Sequence, residues 1–171
     1  MNKSTKTILI VAAVGLGLWY FVSQSRRIDV GAASISKLKL EGGGVRLNIK
    51  LPIINRSDFE VPVSGFLGRI LYNGAEIGTV QQAAPANLLS RSTSILEFTT
   101  LISYLGVATS TPLLDILNSL AQKYLGVSLP GIPSDAATDA SVLTNSLRSL
   151  RIVGTLYVGQ VGIDINEPLT T

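Results

Sequence analysis

Apolar and polar residues alternate with a period of two from Val45 to Ile53. Val45, Leu47, Ile49, Leu51 and Ile53 are apolar, with Arg46, Asn48, Lys50 and Pro52 between them. Successive side chains on a strand point to opposite faces, so this pattern predicts a half-buried β-strand. Gly42-Gly43-Gly44 precedes it and Asn55-Arg56-Ser57-Asp58 follows it, both turn chemistry. Ile35 to Leu40 is expected to pair with it as a hairpin across the glycines. Val61 to Leu71 reads as another strand, apolar on both faces, and leads into Tyr72-Asn73-Gly74-Ala75. Asn-Gly between apolar strands predicts a type I′ hairpin, because both central residues need positive φ. Glu76 to Gln81 is the return strand. Pro85 breaks the pattern, and Ser92 to Ser103 is a further strand. From Leu150 to Ile165 the apolar phase slips around Gly159-Gln160, which predicts a bulge or a tight turn.

Three segments depart from the β pattern. Thr111 suits an N-cap with Pro112 at the first helical position, and Leu113, Ile116, Leu117, Leu120 and Tyr124 recur at helical spacing. Gly126 suits the stop, so the helix is expected over roughly Pro112 to Leu125. Residues 128–149, rich in Ser, Pro, Asp and Ala, read as a loop with a short helix around Asp139 to Leu147. Thr7 to Ser25 is nineteen residues without a charge. As a helix it would span about 28 Å, near the ~30 Å hydrocarbon core of a bilayer. Lys3, Lys6, Arg26 and Arg27 flank it, and no small-x-small cleavage site follows, so it is expected to remain as an anchor. The lipid-facing residues would be Ile8, Leu9, Ile10, Val11, Leu16, Leu18, Trp19, Tyr20, Phe21 and Val22. The expected organisation is an anchor over 1–27, a linker over 28–34, and a β-sandwich over 35–171 with a helical insert near 104–149.

Charge sharpens this picture. The formal net charge of +3 sits at the N-terminus. Residues 1–27 carry four cations and no acid, and the remainder carries ten basic and eleven acidic residues. Nucleic acid is therefore not an expected partner, since that needs a basic domain face. Charged residues make up 15% of the chain, against about 25% in ordinary soluble domains, which suits a partly covered surface. Cysteine and histidine are absent, which removes disulfides, thiolate catalysis and Cys/His zinc sites. Asp58 with Glu60, Asp135 with Asp139, and Asp164 with Glu167 form no oxygen-ligand pattern. The three glycines at 42–44 lack the Lys-Ser/Thr of a phosphate loop. No catalytic residue, metal or cofactor is expected. Lys37, Lys39, Arg46 and Lys50 fall on two strands expected to pair, on the same outward face. They are candidates for contact with acidic headgroups or an acidic partner, or for a solvated face that deters edge association.

The stretch from Val45 to Val80 resembles the late embryogenesis abundant type 2 family, also called the water stress and hypersensitive response (WHy) domain. The resemblance is carried by Asn55, Val61-Pro62-Val63, Tyr72-Asn73-Gly74 and Ile77-Gly78, and Pro85 to Ile165 follows the family's order of elements. Arg56 stands where the family's Asn-Pro-Asn has proline, and the region from Tyr104 to Ser149 is enlarged. The resemblance implies a mainly all-β fold, an immunoglobulin- or fibronectin-like antiparallel β-sandwich without catalytic residues, often anchored by one N-terminal helix. The expected function is that of a non-enzymatic, membrane-anchored structural or interaction protein. Its partners would be the lipid bilayer and other proteins or its own copies, in a bacterial envelope or the internal membrane of a virion. The alternatives are a stress-protective protein and a module binding lipid or another apolar ligand. The ligand reading needs an apolar cavity above roughly 300 Å³.

Overall fold

The computed structural model describes residues 27–82, 86–103, 111–129, 147–159 and 161–170. Their strands are β1 (Ile28–Val30), β2 (Ala33–Glu41), β3 (Gly44–Asn55), β4 (Val61–Tyr72), β5 (Ala75–Gln82), β6 (Ala86–Leu88), β7 (Ser92–Ser103), β8 (Leu150–Val158) and β9 (Val161–Thr170). A helix, α1 (Thr111–Leu125), lies between β7 and β8 in the chain.

Local sequence rules account for most of these elements. In β3 the five alternating apolar side chains are fully buried, while Arg46, Asn48, Lys50 and Pro52 face outward. The β2–β3 hairpin closes at Glu41 and Gly44, and the β4–β5 hairpin at Tyr72 and Ala75. Asn73 and Gly74 both have positive φ, 49° and 85°, as the type I′ turn requires. The phase slip near Gly159 is a tight turn: Val158 pairs with Val161, so the long apolar stretch is two strands. Residues 28–34, expected as a linker, instead contain β1 and the start of β2. The short helix expected around 139–147 falls almost entirely outside the described residues.

The strands do not split into two sheets. They pair in the ring β3–β2–β9–β8–β4–β5–β7 and back to β3, a closed seven-stranded barrel. This corrects the expected sandwich. Either architecture buries one face of every strand, so alternation cannot separate them. The difference lies in two short seams. Val80–Gln82 pairs antiparallel with Phe98–Thr100, and Ala33–Ser34 pairs in parallel with Leu169–Thr170. Gly78 permits the first seam, because a methyl group there would crowd Thr100 Oγ1 and the Leu101 carbonyl. Beside the ring, β1 extends the β2 edge of β3, and β6 pairs with β4.

Side chains fill the barrel. The Phe66 and Phe98 rings meet with centroids 4.7 Å apart. Gly68 and Gly154 oppose each other across β4 and β8, and the Phe66 ring occupies the space their missing side chains leave. The apolar stripe of α1, from Leu113 through Ile116, Leu117 and Leu120 to Ala121, is buried, and the helix packs on β2. Tyr124 Oη donates to the Ile35 carbonyl at 2.6 Å, and burial raises the pKa of this phenol. Buried Asn118 accepts a bond from the Leu129 N–H at 2.8 Å, which ties down the chain leaving the helix.

The expected single-pass membrane protein is also corrected. Among the described residues no helix is long and apolar enough to cross a membrane. The fifteen residues of α1 reach only about 22 Å, short of the ~30 Å core, and include Asp115, Asn118, Gln122 and Lys123. The stretch from Thr7 to Ser25, with the ten residues assigned to lipid contact, lies outside the described residues.

Gly154→Ala places a methyl group against the Leu67 carbonyl and the Phe66 ring. Its expected cost is about 1–3 kcal/mol in urea unfolding, the usual penalty for overpacking a filled core. Gly65→Ala, in the same sheet but with open space around the new carbon, is expected to stay within about 0.5 kcal/mol of the parent.

Candidate functional site

The end of the barrel where β1, β3 and β7 meet is organised by Asn55. This side chain is completely buried. Its Nδ2 donates toward the carbonyls of Phe59 (2.8 Å), Leu88 (3.0 Å) and Leu89 (3.1 Å). Its Oδ1 accepts from the Ser57 N–H (3.0 Å) and the Ser57 hydroxyl (2.7 Å). One amide therefore fastens the turn after β3 to the residues that join β6 to β7. A buried carbonyl without a partner is costly, so this turn has little freedom while Asn55 is in place.

A cleft of about 420 Å³, open to solvent, lies over this knot. Its residues form tiers, because outward side chains on paired strands stand side by side. The upper tier is Arg27, Arg56 and Arg91. Backbone bonds hold it: Arg56 N–H donates to the Arg27 carbonyl at 2.9 Å, and Arg91 N–H to the Ser57 carbonyl at 3.0 Å. Below it, Ile54 pairs with Asp29 on one side and Thr93 on the other. Outside the cleft, one step further along the same outer face, Pro52 pairs with Ile95, which is 58% exposed. Arg56 Nε lies 2.8 Å from Asp29 Oδ2, and Arg91 Nε bonds Asp58 Oδ1. Both ion pairs are well exposed, so each contributes at most about 1 kcal/mol. Among the described residues Arg27 has no ion-pair partner. Arg91 has φ +48°, left-handed backbone that favours glycine or asparagine.

The cleft offers mostly hydrogen-bond donors and an apolar floor. Ser92 Oγ donates to the Leu89 carbonyl at 2.9 Å, and Asp58 is engaged by Arg91. Neither is poised as a nucleophile or a base. Among the described residues, no group of three or more Asp or Glu is placed to hold a metal ion.

Lys37, Lys39, Arg46 and Lys50 do share the outer face of β2 and β3: Lys37 pairs with Asn48, Lys39 with Arg46, and Ser34 with Lys50. Acids accompany three of them. Glu41 receives two bonds from Arg46, at 2.7 and 2.8 Å, and lies 3.7 Å from Lys39; Glu97 lies 3.8 Å from Lys50. The Arg46 hydrogen bonds hold the Glu41 carboxyl below the usual carboxylate range, and Glu41 in turn raises the Arg46 guanidinium. The arginine tier escaped sequence reasoning. Arg27 reads as a flank of the apolar stretch and Arg56 as a lost proline, and Arg91 stands just before the strand expected from Ser92. The turn-forming run Asn55-Arg56-Ser57-Asp58 was the available signal for that end of the barrel.

No family model matches this chain, and neither does any curated protein. Among solved structures it is similar to one titled "Crystal structure of protein from Archaeoglobus fulgidus", at 10% identity and a TM-score of 0.47, covering 81% of this chain and 90% of that one. That likeness carries no argument about function, and none of these comparisons bears on the resemblance to the WHy domain.

Asn55→Asp keeps the shape of the side chain but turns two donor hydrogens into a charge facing three carbonyls. It is expected to cost about 3 kcal/mol or more in denaturant unfolding. Asn55→Ala, which adds no buried charge, is expected to cost less.

Proposed function

We propose that this chain is a non-enzymatic interaction module that binds a protein partner through the face formed by β1, β2, β3 and β7. The observation that carries this reading is the segregation of charge. Seven cations lie on that face and its Asn55 end: Arg27, Lys37, Lys39, Arg46, Lys50, Arg56 and Arg91. Five acids accompany them: Asp29, Glu41, Asp58, Glu60 and Glu97. On β4, β5, β8 and β9 the balance reverses, with Arg69 and Arg151 against Glu76, Asp164 and Glu167. A positive face with an apolar centre at Ile54, Pro52 and Ile95 suits protein recognition. Such interfaces have an apolar core, an enrichment in arginine and a polar rim. The ligand-binding alternative needs apolar space inside the barrel, and the meeting of Phe66 with Phe98 argues against it.

A photo-activated cross-linking residue tests the reading in the host cell. Placed at Thr93, on the positive face, it is expected to yield a protein adduct. Placed at Tyr157, on the far side, it is expected to yield none. Adducts from position 157 with none from position 93 would refute the assignment.

A further inference from the structure

We propose that the cleft at the Asn55 end receives an extended acidic segment of the partner. Its carboxylates would meet Arg27, Arg56 and Arg91, and its apolar side chains would rest on Ile54 and Ile95. This rests on the interaction-module reading and adds the chemistry of the occupant.

The chain's own acids show how the occupant binds. Guanidinium groups match carboxylates in shape as well as charge. Asp29 and Asp58 already sit on Arg56 and Arg91 as an incoming carboxylate would. The Arg91 and Asp58 side chains are 76% and 50% exposed, so the pair exchanges partners at little cost. Asp58 is thus a resident stand-in for a partner's acid, and Arg27 is a cation with no such resident among the described residues. The backbone at Arg91 supports the same conclusion. A left-handed φ at a non-glycine residue is strained, and such strain concentrates at ligand clamps. Glycine or asparagine would suit the turn better, yet an arginine stands there.

Spacing defines the sequence that fits. Ile54 and Pro52 point outward at alternate positions of β3, about 6.6 Å apart, and Arg56 follows one residue past its end. An extended peptide repeats its same-face side chains at the same interval. The complementary pattern is therefore an acid, then apolar residues two and four positions away. The cleft has room for a few side chains and is open on its outer side, which suits a peptide laid across it better than an enclosed small molecule.

Panning a displayed library of short random peptides against the full-length chain tests this. Enriched peptides are expected to carry Asp or Glu beside alternating apolar residues. Their affinity is expected to fall about tenfold in Arg91→Asn, the loss of one charged hydrogen-bonding contact. An unchanged thermal melt checks that this variant folds. Affinity is expected to rise in Asp58→Asn, which removes the resident carboxylate. Enrichment without acids would overturn the proposal, as would a fall in affinity in Asp58→Asn matching that of Arg91→Asn. Displacement of the peptides by inorganic phosphate at constant ionic strength would assign the cleft to phosphate and overturn it as well. Cross-linking at position 93 without acidic enrichment would keep the interaction face and remove this occupant.

Discussion

Every strand edge exposes backbone N–H and C=O groups that need partners, and closure of the sheet is how this chain supplies them. The closure rests on very little. Three residue pairs join β5 to β7, and two join β2 to β9. By contrast, β3 pairs with β7 along its whole length, from Gly44 with Ser103 to Asn55 with Ser92. Its other edge is shared by β2 and β1. The long pairings give the barrel its stiffness, and the short seams decide that it is a barrel at all. Once the ring is closed, one face of each strand must be filled, and Phe66 and Phe98 meet there over a pair of glycines.

The cleft follows from the same constraint. Because β3 is held on both edges, its outward side chains stand at fixed intervals, and the turn beyond Asn55 is fastened to the β6–β7 connection. Arg27, Arg56 and Arg91 come from three separate parts of the chain and share one tier because backbone bonds place them there. The division of labour is clear. The buried amide of Asn55 provides rigidity, while the exposed ion pairs above it contribute little to stability and are available for exchange.

Much of the local structure was legible in the sequence. The alternation in Val45–Ile53, the Gly42-Gly43 and Asn73-Gly74 hairpins, and the helix stopped at Gly126 all encode their geometry within a few residues, and each stands in the structure. What was hidden is non-local. Alternation records that a face is buried and not which strand lies next door, so a barrel and a sandwich look alike from Ile35 to Ile165. The basic group at Lys37, Lys39, Arg46 and Lys50 was found because its members lie on adjoining strands of one hairpin. The arginine tier was missed because its members are remote in sequence, and because Asn55 makes its important bonds more than thirty residues away. Hydropathy dominated the reading of the N-terminus. A run of apolar residues predicts a span by length alone, and among the described residues no helix meets that requirement.

Backbone nuclear Overhauser effects across the seams test the closed barrel most directly. Closure predicts cross-strand contacts between Val80 and Thr100, between Gln82 and Phe98, and between Ala33 and Leu169. Their presence together with the β3–β7 contacts would establish the ring. Intact β3–β7 contacts with no signal at either seam would show two separate sheets and contradict it.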